Sequence, residues 1–80
     1  AIAGLFSDRK MKENIKKIGV LDNGLNLYQW EYKPEFKDLA GYGSHIGVMA
    51  DEAEKVMPQA VMQHANGYKM VNYEVVYGSI

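Results

Sequence analysis

Ser7 is followed five residues later by Lys12, and this pair is the strongest chemical suggestion in the chain. A serine hydroxyl attacks a carbonyl only when a base takes its proton. Lysine can be that base if desolvation or neighbouring cations keep its amine neutral. Arg9, Lys10, Lys16 and Lys17 supply such like charge around Lys12. On a regular helix five residues turn through about 140°, so two such side chains would not face each other. They meet only if Ser7 lies in extended chain ahead of a helix, or if Lys12 comes from a neighbouring subunit. Spacing alone favours a plainer reading, in which Ser7 and Asp8 cap a short helix and the lysines form a solvated face.

The other chemical residues say less. His45 and His64, with Asp51 and Glu52 nearby in sequence, are nineteen residues apart and do not make a metal signature. Gly41-Tyr42-Gly43 lacks the third glycine and the strand-to-helix setting of a phosphate loop. No metal and no cofactor is therefore expected. Six tyrosines with Trp30, Phe6 and Phe36 read as a packed sheet face or a subunit interface rather than a platform for bases. Nine basic against ten acidic residues leave a net charge of −1, without the basic excess that marks a nucleic-acid binder.

These residues must be positioned by one small domain. The 80 residues are 48% hydrophobic and 24% charged, a globular composition, and zero cysteines exclude disulfides and a thiol nucleophile. A chain of this size buries only about 60–65% of its unfolded surface, so association with other chains is expected. The apolar run Ala1 to Phe6 is too short for a membrane span, which takes about 20 residues. It reads as a linker or the tail of a preceding domain, with the domain proper over 7–80. Met11 and Ile15 lie four apart on the expected N-terminal helix. Asp22-Asn23-Gly24 and Asn66-Gly67 signal two hairpins. Glu35 to His45 reads as a loop, and Ile46 to Ala50 as a buried strand. Asp51 then caps an acidic helix that Pro58 stops, and Asn72 to Ile80 extend a strand or begin a short helix. The fold class is α+β: short helix, hairpin, strand, acidic helix, second hairpin.

Ser7-Asp8-Arg9-Lys10-Met11-Lys12-Glu13-Asn14-Ile15 resembles the opening motif of the intramolecular chaperone domain of bacteriophage tail spikes and fibres. This is the self-cleaving serine peptidase family typified by endosialidase tailspikes and also found in myelin regulatory factor. Three further stretches agree in order: Gly24 to Tyr32, Gly47 to Val61, and Tyr68-Lys69-Met70-Val71-Asn72-Tyr73.

The resemblance implies a domain that helps a fibrous protein fold and trimerise, and then cuts itself away. It places the scissile bond between Phe6 and Ser7, makes Ser7 the nucleophile and Lys12 its general base, and gives Asp8 an orienting role. The expected partners are two more copies of the chain and its own upstream fibre domain, with other virion proteins as further candidates. The expected setting is the virion, after synthesis in the host cytoplasm. The family's long C-terminal helix, which bundles three chains, has no counterpart in Tyr77-Gly78-Ser79-Ile80. That departure, and the presence of Ala1 to Phe6, support a rival expectation: an uncleaved structural module of a tail or internal virion protein. No oxyanion donor can be named from the sequence.

Overall fold

Two Asn-Gly pairs close two hairpins, and they do it in the same way. The computed structural model describes residues 5–78. Gly24 takes a φ of +90° and donates its N–H to the Leu21 carbonyl at 2.9 Å, while Asn23 Oδ1 accepts from the Leu25 N–H at 3.1 Å. Gly67 takes a φ of +91° and donates to the His64 carbonyl at 3.0 Å, while Asn66 Oδ1 accepts from the Tyr68 N–H, also at 3.0 Å. Only a residue without a Cβ adopts these angles without strain, so the glycines fix where each chain reverses.

The strands are β1 (Leu5–Phe6), β2 (Lys12–Val20), β3 (Asn26–Tyr32), β4 (Ser44–Gly47), β5 (Val61–Gln63) and β6 (Lys69–Val71). They form two antiparallel three-stranded sheets, in the orders β2-β3-β4 and β1-β6-β5. Helices α1 (Lys37–Ala40), α2 (Ala50–Val56) and α3 (Tyr73–Gly78) complete an α+β fold. One core packs Leu25, Val48, Ala53, Val71 and Val76 beneath α2 and α3. The other gathers Phe6, Met11, Trp30, Tyr32 and Met49 between the sheets.

Several element boundaries differ from those the sequence suggests. The expected N-terminal helix is a single 3-10 turn, Arg9–Met11, whose N-cap is Asp8. β2 begins immediately afterwards because Lys12 pairs with Tyr32, and that partner outweighs the local helical preference. Met11 and Ile15 therefore share no helical face. Asn14 sits at a φ of +53° in a register shift between Glu13 and Lys16, a bulge that asparagine accommodates well. The region read as a loop from Glu35 contains the 3-10 turn Pro34–Phe36 and α1, and β4 starts at Ser44. α2 starts at Ala50, one residue ahead of the expected cap, and Met49 contributes no side-chain cap. Within the stretch read as a linker or the tail of a preceding domain, Leu5 and Phe6 pair with Val71 and Met70, while Ala1 to Gly4 lie outside the described residues.

Candidate active site

The peptide between Phe6 and Ser7 is held from both sides. The Ser7 N–H donates to the Lys69 carbonyl of β6 at 3.2 Å. The described chain has no cis peptide, and in a trans peptide the carbonyl points opposite to the N–H. The Phe6 carbonyl thus faces away from β6 and accepts a hydrogen bond from the Tyr32 hydroxyl. Past the peptide, the Ser7 carbonyl accepts from the Ala50 N–H at 2.9 Å. Ala50 opens α2, and the bond satisfies one of the amides that a helix start leaves free. Phe6 itself is 9% exposed, its ring meeting the His64 ring edge-on at 5.1 Å.

Ser7 is fully buried in extended chain ahead of the 3-10 turn. Its Oγ lies 2.7 Å from the Tyr73 hydroxyl, which is fixed in turn by the Val48 N–H at 3.1 Å. Burial raises the Tyr73 pKa, so the phenol stays protonated and the hydrogen bond to Ser7 joins two neutral hydroxyls. Gly47 makes this arrangement possible. A β-carbon there would overlap the Tyr73 hydroxyl and lie 2.9 Å from Trp30 Cη2.

Lys12 is the first residue of β2 and is 3% exposed. Its Nζ donates to the Val48 carbonyl at 3.1 Å, lies 3.6 Å from Met49 Sδ and sits 3.5 Å from the centroid of the Trp30 ring. Burial first, and the Arg9 charge second, lower the Lys12 pKa to about 7 against the pull of Asp51 and Asp8. The cation–π contact with Trp30 also favours the charged form, so burial wins against all three attractive contributions. Near neutral pH the amine is therefore present in both forms. Of the four cations that the sequence places around Lys12, Arg9 is the one that matters, and it is less important than burial.

Ser7 and Lys12 are both buried and are linked through a chain of two partners, Tyr73 and the Val48 carbonyl. The Tyr73 hydroxyl lies 3.4 Å from the same Val48 carbonyl to which Lys12 donates. The hydrogen bond of Ser7 Oγ goes to Tyr73 rather than to Lys12. Asp8 uses both carboxylate oxygens, accepting from the Lys10 N–H at 3.0 Å and from the Lys69 N–H at 3.1 Å. It caps the turn and ties it to β6 beside the Ser7 N–H. Arg9 spans to Asp51 and Glu52, each at 3.2 Å, closing the outer side.

Tyr32 is 3% exposed, and burial raises its pKa to about 12, with Trp30 pulling slightly the other way. Its ring packs edge-on against Trp30 at 6.1 Å and His45 at 4.9 Å. An apolar groove of about 640 Å³ opens beside Phe6 and Tyr32, with Leu39, Ile46 and Tyr77 on its walls. His45 stacks on Trp30 in this wall while His64 packs on Phe6, so the two histidines serve different rings. Sequence reasoning missed Tyr32, Tyr73 and the Val48 carbonyl. Their signal was that all three fall within the stretches that resemble the family, where nothing gave them a chemical role.

No curated protein and no solved structure matches the chain. The family model described as chaperone of endosialidase matches residues 7–62, beginning at the buried serine, and by that match the chain belongs to the chaperone-of-endosialidase family.

Proposed function

We propose that this domain is an intramolecular chaperone of the phage endosialidase type that cuts its own chain once, between Phe6 and Ser7. Family membership supports the chaperone role and a virion-associated setting. One observation carries the cleavage reading: a peptide held at both ends precedes a buried serine, beside a buried lysine whose pKa is about 7.

In the proposed reaction, Ser7 Oγ attacks the Phe6 carbonyl carbon and its proton passes to neutral Lys12. A neutral amine can keep donating to the Val48 carbonyl while it offers its lone pair. The carbonyl π pair moves onto oxygen, and collapse of the adduct breaks the C–N bond. The Ser7 nitrogen takes the proton from the Lys12 ammonium, leaving the Phe6 acyl group as an ester on Ser7 Oγ. Water from the adjacent groove then hydrolyses the ester, giving a Phe6 carboxylate and restoring the serine hydroxyl.

The test is expression of the longer parent chain with its upstream segment. Wild type should yield a C-terminal product whose first residue is Ser7, and Ser7→Ala and Lys12→Ala should each stay uncut. Identical uncut bands for wild type and Ser7→Ala would end the cleavage reading.

The pairing of Leu5 and Phe6 with β6 favours a second reading, a permanently uncleaved structural module. Intact mass of the parent from particles separates the two, since cleavage removes everything from Ser7 onward. In both readings the proposed partners are two further copies of the chain and its own upstream fibre domain. The charge balance supports no nucleic-acid partner.

A further inference from the structure

We infer that Tyr32 is a catalytic residue, the donor that stabilises the oxyanion formed on the Phe6 carbonyl; this rests on the self-cleavage reading. The Tyr32 hydroxyl donates to the carbonyl oxygen of the peptide that reading cuts. Negative charge builds on that oxygen as the serine adds, and a donor already aimed at it strengthens without reorganising. Three features suit the phenol to this role.

It stays protonated, because burial holds its pKa near 12. It cannot swing away, since the ring is buried and wedged between Trp30 and His45. The carbonyl has no ladder partner to exchange for it, because the Ser7 N–H to Lys69 bond points that carbonyl away from β6.

The proton inventory is complete with water as the one co-reactant. Tyr32 keeps its proton throughout, the Ser7 Oγ proton shuttles through Lys12 to the Ser7 nitrogen, and the ester is released by water. A tyrosine that only packed the core would leave the rate alone when its oxygen was removed.

The experiment uses the parent chain with its upstream segment and follows the rate of appearance of the Ser7 product. Tyr32→Phe should slow cleavage by about 10²–10³-fold, the loss usual for one oxyanion donor, with the far-UV circular dichroism unchanged. In a Ser7→Ala precursor carrying ¹³C at the Phe6 carbonyl, Tyr32→Phe should move that carbonyl stretch to higher frequency. Should Tyr32→Phe misfold, 3-fluorotyrosine at position 32 keeps the ring and makes a stronger donor, and cleavage should accelerate. Wild-type rates in Tyr32→Phe, or an unmoved rate with 3-fluorotyrosine, overturn the inference and leave Ser7 in its role. A wild-type parent that never cleaves overturns both readings, even if the carbonyl shift shows the hydrogen bond is there.

Discussion

Replacing Lys12 by methionine should change how stability depends on pH, and the size of the change follows from its burial. Methionine has nearly the same length and removes only the titrating amine. In the folded chain Lys12 titrates near 7, against the ordinary value of 10.5. Between those values the unfolded chain holds the proton that the folded chain has lost, so raising the pH favours folding. One pH unit in that window is about 1.4 kcal/mol for a single proton. Allowing for partial protonation near the midpoint, wild type should gain about 0.4 kcal/mol from pH 6 to 7 and about 2 kcal/mol from pH 7 to 9. Lys12→Met should show none of this gain. Urea unfolding at pH 6, 7, 8 and 9, in a Ser7→Ala background that prevents cleavage, measures the difference between the two chains. Subtracting one from the other removes every group they share. A wild-type minus Lys12→Met difference that stays flat from pH 6 to 9 would refute the argument, because Lys12 would then titrate as an exposed lysine.

Two further outcomes follow from the same site. Gly47→Ala should displace the Tyr73 hydroxyl and the Trp30 ring, costing about 1–3 kcal/mol in urea unfolding and, in the parent chain, most of the cleavage. Arg9→Ala should cost at most about 1 kcal/mol, since its ion pairs with Asp51 and Glu52 are solvent-exposed. It should nevertheless raise the pH of half-maximal cleavage above 7, because the Arg9 charge lowers the Lys12 pKa and the carboxylates it leaves behind raise it. A pH–rate profile of the parent chain would show an unmoved midpoint if Arg9 had no influence on Lys12.

What was legible in the sequence was local. Asn-Gly pairs announce their turns because the backbone angles they supply are needed wherever they sit, and Pro58 ends α2 by removing a donor. The 3-10 turn was misread as a longer helix because the strand partner that overrides it, Tyr32, lies twenty residues away. Ser7 and Lys12 could be singled out by type, spacing and resemblance, but spacing does not reveal that Lys12 opens a strand and is itself buried under Trp30. The tyrosines were illegible for a related reason. Nothing local separates Tyr73, buried at the peptide, from Tyr77 at 42% exposure on the same helix.

The depth of the site in the fold bears on when the proposed reaction can run. Ser7 meets Tyr73 across 66 residues, its peptide N–H needs β6, its carbonyl needs α2, and the Phe6 carbonyl needs β3. None of these partners is near Ser7 in an unfolded chain, and Lys12 far from its burial would stay charged below pH 10. Both requirements, a held peptide and a neutral amine, are therefore met by folding. The sequence points to the like charge of Arg9, Lys10, Lys16 and Lys17 as a source of a neutral Lys12. Burial within one chain accounts for the larger part. On the proposed reaction, a domain that has not folded cannot cut. That order suits a chaperone, which must finish its work before it leaves.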